Sequence, residues 1–250
     1  MEALNILWRN QKWRLQNPAT LIMTSIQPLF WLLLFSTMFG SEAAASGGRN
    51  YTAFSLPGIL VMLVLTSAGI SGIANYSMKT GGIYYRVYIS PVKRSSIVLG
   101  HILDVAVAAF VSIAILSALS LLLGATVASG IAGLLLIILL LVLTIAFVAG
   151  LSYAISFLFR DENPFIALVN TFVMPLFFVS TALMPYSQIP GGFKIAVLMN
   201  PFTHVINSLR NLLLDATPDW GLYLLAAGLM AVLTVLSFLL AVRCLQKDEK

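Results

Sequence analysis

Few side chains in this 250-residue chain have the types and spacing to do chemistry. Gly69-Ile70-Ser71-Gly72 is a G-x-S-G run, in which a serine could act as a nucleophile if a histidine base lay within hydrogen-bond reach. The chain has two histidines. His101 falls near the start of a later apolar helix and His204 in a polar-faced outer segment, so neither is expected at the depth of Ser71. Small residues that let helices approach closely explain the run more simply. Asp104 follows His101 by three residues and shares its helix face. Ionisable groups at membrane depth can relay protons, but a place so close to the helix start favours a pair at the membrane surface. Asn170 could bond across a helix interface or line a path, the first being the usual role of such a residue. A G-x-x-x-x-G-K-[ST] phosphate loop is missing, which excludes ATP hydrolysis by that route, and so is an H-E-x-x-H zinc motif. Cys244 is the sole cysteine, so an internal disulfide is impossible and no metal site is expected.

The elements that must hold these residues follow from composition. Hydrophobic residues make up 60% of the chain and charged residues 9%, against about 45–50% and about 25% in soluble domains. The apolar residues fall into runs of about 20, the length that crosses a bilayer as a helix. Six such spans are expected, over about Leu21–Gly40, Leu56–Tyr76, Ile97–Leu123, Ile131–Phe159, Pro164–Leu183 and Leu222–Val242. The fold class is therefore an all-α polytopic membrane protein, one transmembrane domain over residues 1–250. Leu21–Phe39 is too long for the core of a cleaved signal peptide and is read as a retained first span. With six spans both termini share one side, and eleven of the fourteen Lys and Arg fall there. Only Arg49, Lys194 and Arg210 fall on the other, so the bias puts both termini in the cytoplasm of a cell-membrane protein. The net charge of +5 sits at the ends of apolar runs, an anchoring pattern and not a nucleic-acid footprint.

Three segments do not span. Residues 1–20 mix Trp8 and Trp13 with Arg9, Lys12 and Arg14, as an interfacial helix on the cytoplasmic surface does. Residues 77–96 form a cytoplasmic connection. Gly81-Gly82 breaks the incoming helix, Ile83–Ile89 can make about two turns with Tyr84, Tyr85, Arg86 and Tyr88, and Ser90-Pro91 stops it. Composition alone fits either a belt at the headgroups or a protein-docking element. Residues 184–219 form an outer segment broken at Pro185, Pro190 and Gly191-Gly192. There Asn200-Pro201 reads as an N-cap followed by proline at the first helical position. Phe202, Val205, Ile206, Leu209, Leu212 and Leu213 then follow helical spacing, with His204, Asn207, Ser208 and Asn211 opposite. This helix is too short to cross, so it lies on the outer surface or re-enters, and its polar face needs water or protein.

Read together in order, these segments resemble the ABC-2 type permeases, especially drug and antibiotic exporter subunits. Asn17-Pro18 and Gln27-Pro28-Leu29-Phe30-Trp31 are similar to the family's first span. Gly82, Arg86, Pro91, Arg94 and Gly100 resemble its cytoplasmic pattern, with Tyr85 where an acidic residue often stands. Asn200-Pro201-Phe202-Thr203 through Leu209-Arg210 resembles the motif before its last span, while Ser180-Thr181 stands where Ser-Gly often follows span five. The resemblance implies two copies, each docked to a separate ATPase that carries ATP and Mg, this chain binding no cofactor of its own. It makes Gly82–Pro91 the coupling helix. It places Gln27 and Phe30 of span one and Asn170, Met174 and Phe178 of span five at the dimer interface or path, and the outer half-helices at the exit. A mostly apolar path fits an amphiphilic cargo better than a small ion. A channel or secondary transporter without an ATPase is the alternative, which inverted internal repeats would favour.

Overall fold

The computed structural model describes residues 26–38, 51–82, 92–124 and 128–248, together with Trp8. It is all-helical among those residues. The helices are α1 (Ile26–Met38), α2 (Tyr51–Gly69), α3 (Ile73–Thr80), α4 (Arg94–Leu122), α5 (Gly130–Ser156), α6 (Glu162–Phe178), α7 (Gly191–Met199), α8 (Pro201–Leu214) and α9 (Trp220–Asp248). Single 3₁₀ turns lie at Ile70–Gly72 and Tyr186–Gln188. Four helical runs are long and apolar enough to cross a membrane: Tyr51–Met78, Arg94–Leu122, Gly130–Ser156 and Trp220–Lys247. The chain is a multi-pass membrane protein. α1 and α6 are shorter apolar helices; the residues flanking α1 lie outside the described set.

α2 runs through the middle of the bundle, with Ile59, Val61 and Val64 fully enclosed, and it packs on α4, α5, α6 and α8. The long helices α4, α5 and α9 instead keep apolar residues such as Leu122, Leu135 and Leu224 exposed. That is the pattern for helices whose outer faces meet lipid and not water.

The 3₁₀ turn between α2 and α3 has an identifiable cause. Ser152 of α5 inserts its hydroxyl into the helix ladder, donating to the Gly69 carbonyl at 2.6 Å and accepting from the Gly72 amide at 2.9 Å. A side chain in the ladder is a standard source of helix distortion. Gly72 permits the approach: a Cβ there would lie 2.7 Å from the Ser152 carbonyl oxygen and 2.8 Å from Phe165. The glycines of the G-x-S-G run are thus packing residues. One turn on, Tyr76 donates to the Ser156 carbonyl at 2.7 Å and its ring meets Phe165 at 5.8 Å.

α6 stops at Phe178, five residues before the end of the apolar run that defined span five. Asn200 explains the stop. Its side-chain amide donates to the carbonyls of Leu176 (2.7 Å) and Val179 (2.6 Å), satisfying orphan acceptors that any helix end must place. The following turn needs no left-handed residue, since positive φ occurs only at glycines among the described residues. A threonine at position 181 therefore fits this turn without backbone strain.

Candidate functional site

One end of the bundle is built around α8. Asn200 caps it, accepting from the Phe202 amide at 3.0 Å, and Pro201 follows at the first helical position. The apolar stripe expected from the sequence (Phe202, Val205, Ile206, Leu209, Leu212 and Leu213) is buried, against α2, α5 and α9. The polar face is met by protein. Thr181 donates to Asn207 Oδ1 at 2.7 Å. Asn211 donates to Asp215 at 2.8 Å and accepts from the Asp219 amide at 2.7 Å, tying α8 to the start of α9. Thr203 is buried, and its hydroxyl has no hydrogen-bond partner among the described residues.

Arg210 holds this end together. Its Nε donates to the Phe54 carbonyl at 3.1 Å. One terminal nitrogen donates to the Thr181 and Ala182 carbonyls at 2.7 and 3.3 Å, and the guanidinium lies 3.8 Å over the Phe54 ring. Three chain segments converge on one side chain. Counted in the sequence as an outer flanking charge, Arg210 is in fact a partly buried structural group. Burial draws its pKa down to about 10, with Tyr51 opposing, so it remains charged at neutral pH. Gly58 lets the same turn pack onto α2, since a Cβ there would lie 2.7 Å from the Ala182 Cβ.

Deeper in the bundle, His101 and Asp104 line a polar cleft between α2 and α4 that Gln27 of α1 also reaches. Both are enclosed by protein, each 6% exposed. His101 also reaches Ser71, with Nε2 3.3 Å from Oγ, contrary to the depth inferred from its place near a helix start. This is still no catalytic dyad. The Ser71 hydroxyl donates to the Ala68 carbonyl at 2.7 Å, which directs its proton away from His101, where a base would have to receive it. His101 is held further by the Tyr153 ring at 4.8 Å.

At the opposite end from Arg210, α3 ends at Thr80 and Gly82 takes a left-handed φ of 67°, the glycine helix stop expected there. Ile83, Tyr84, Tyr85, Arg86, Tyr88 and Pro91 lie outside the described residues. Arg94 opens α4. A cleft of about 430 Å³ lies between the end of α3 and the start of α6, lined by Tyr76, Thr80, Arg160, Asp161 and Glu162 among others.

Comparison with known proteins decides the family. The model of the ABC-2 type transporter matches residues 2–214. The chain belongs to the ABC-2 type transporter family. Its relatives include the putative transport permease ycf38 of Porphyra purpurea, 28% identical over 84% of this chain and 72% of that one. Another is the daunorubicin resistance ABC transporter permease protein DrrB1 of Streptomyces coeruleorubidus, 27% identical over 94% and 84%. A third is nodulation protein J of Rhizobium leguminosarum bv. trifolii, 26% identical over 83% and 80%.

In this ABC-2 chain the residues assigned to a path or dimer face are not gathered within one protomer. Gln27 and Phe30 are exposed on α1, and Asn170, Met174 and Phe178 are exposed along one face of α6, four residues apart. Among the described residues no hydrogen bond joins Asn170 to another helix, and its side chain is exposed. Asn200, Pro201, Thr203 and Arg210 do come together, on α8. Sequence reasoning missed Ser152 and Ser156, whose spacing of four on an otherwise apolar helix was the available signal.

Proposed function

We propose that this chain is the membrane-spanning subunit of an ATP-driven exporter that moves an amphiphilic drug-like, antibiotic or lipid-like cargo out of the cell. A separate ABC ATPase supplies the energy and holds ATP and Mg, one ATPase copy docking on each of two permease copies. The observation that carries this reading is the family match across residues 2–214 in a chain with no phosphate loop of its own. α1 and α6 complete six spans, with both termini in the cytoplasm as the Lys and Arg bias favours. The exposed faces bearing Gln27, Phe30, Asn170, Met174 and Phe178 meet their counterparts on the second copy and border the path. Gly82–Pro91 is the coupling helix, beginning at the break where α3 ends, and ATPase closure pushes on it and tilts the helices. The α7–α8 hairpin shapes the outer exit.

The test is capture from native membranes through a tag on the C-terminus. An ABC ATPase is expected with the wild type and lost from the double variant Arg86→Glu, Tyr85→Ala. Capture of none, under gentle detergent and crosslinking, would overturn the reading.

A further inference from the structure

The α5–α6 hairpin carries an apolar groove that the bundle does not fill. Its cavity of about 370 Å³ has Leu151 and Ile155 of α5 on one wall and Leu168 and Phe172 of α6 on the other, with α2 and the start of α8 completing it. Val169 is buried while Phe172 is 58% exposed, so the groove opens sideways from the bundle. Ser152 brings the one hydroxyl to this lining, and that hydroxyl is committed to Gly69 and Gly72. α5 is one of the membrane-spanning runs, Gly130–Ser156. A cavity there without a free polar side chain stays dry and takes hydrocarbon.

Where the groove ends, a polar cleft begins. Along α6 the groove starts at Leu168, one helical turn from Pro164, which lines the cleft of about 430 Å³ at the end of α3. Glu162 of that cleft stands seven residues before Val169, on the same helix stripe. Arg160, Asp161 and Glu162 give the cleft both signs of charge, just past Ser156 where the α5 span ends. Among the described residues no hydrogen bond or ion pair engages the Arg160 guanidinium or the Glu162 carboxylate. Hydrocarbon lining within the span, and paired opposite charges immediately beyond it, match an amphiphile with a zwitterionic head. A second copy is not the natural occupant. Phe172 is two residues from both Asn170 and Met174, about 200° around the helix, so a copy seated on that face leaves the groove open to lipid.

We propose that groove and cleft together hold one bilayer phospholipid with an ethanolamine head group. An acyl chain fills the groove, Arg160 binds the phosphate, and Asp161 and Glu162 accept from the ammonium. The assignment goes beyond the exporter reading and needs no ATPase.

The test is native mass spectrometry of the full chain in detergent, titrated with phosphatidylethanolamine, phosphatidylglycerol and diacylglycerol of the same acyl chains. Saturation at one phosphatidylethanolamine per chain is expected, about tenfold tighter than phosphatidylglycerol and tighter still than diacylglycerol, about tenfold being the scale of one charge-assisted hydrogen bond. Arg160→Gln should bring phosphatidylglycerol down to the level of diacylglycerol. Asp161→Asn with Glu162→Gln should bring phosphatidylethanolamine down to that of phosphatidylglycerol. Leu168→Trp, which fills the groove, should weaken all three lipids. The charge variants change exposed residues, so they decide the matter even where Leu168→Trp fails to fold. Equal retention of the three lipids, binding that never saturates, or preferences that survive the charge variants would overturn the assignment. So would disulfide-linked dimers formed in native membranes by Phe172→Cys in a Cys244→Ser background, since a second copy would then cover the groove.

Discussion

Arg210 places a guanidinium among backbone carbonyls of Phe54, Thr181 and Ala182, with no acidic partner among the described residues. Hydrogen bonds to a charged group contribute about 1.5–3 kcal/mol each, and a buried acceptor left unpaired costs a comparable amount. Arg210→Met should therefore destabilise the protein by about 2–4 kcal/mol, seen as a lower Tm in detergent. Arg210→Lys should recover only part of this, because a compact ammonium lacks the planar fork that reaches Phe54 through one nitrogen and the Thr181 and Ala182 carbonyls through another. None of this was legible in the sequence. The Leu-Arg pair marked the position, but the acceptors are backbone atoms 156 residues away in the chain at Phe54, and a carbonyl leaves no mark on residue type. His101 was misplaced for a related reason. Its distance from the helix start was readable, but which neighbours would rise past that start was not.

At the scale of elements, local chemistry was readable wherever it was carried by side chains. The Asn-Pro cap and the apolar stripe of α8 follow from residue order, and Gly82 ended α3 where the glycine pair stood. The end of α6 was not readable, because the apolar run continues to Leu183 while the stop is imposed by the Asn200 amide, far along the chain. The same contrast governs glycine. Gly72 lets α5 seat Ser152 in the α2–α3 ladder, and a methyl group would meet backbone at 2.7 Å. Gly72→Ala should cost about 1–3 kcal/mol of stability through overpacking. Gly228→Ala, on a helix face with nothing within 4 Å, should be neutral or slightly stabilising, since alanine is the better helix former. Denaturant unfolding of the two variants in the same detergent checks the pair.

The whole molecule is a multi-pass bundle of the ABC-2 family in which α8 closes one end and a polar cleft lies between α2 and α4. The faces proposed to border the path on α1 and α6 are exposed in the single chain, and in the proposed function a second copy completes the path while a separate ATPase supplies the energy. The central claim is that ATP hydrolysis, and not an ion gradient, drives export. Uptake of a fluorescent amphiphile into inside-out membrane vesicles bearing the permease and its ATPase tests it most directly. The account predicts accumulation that requires ATP, fails with a non-hydrolysable analogue and persists when ionophores collapse every ion gradient. Accumulation that ignores ATP and follows an imposed ion gradient would contradict it, and would make the chain a secondary transporter.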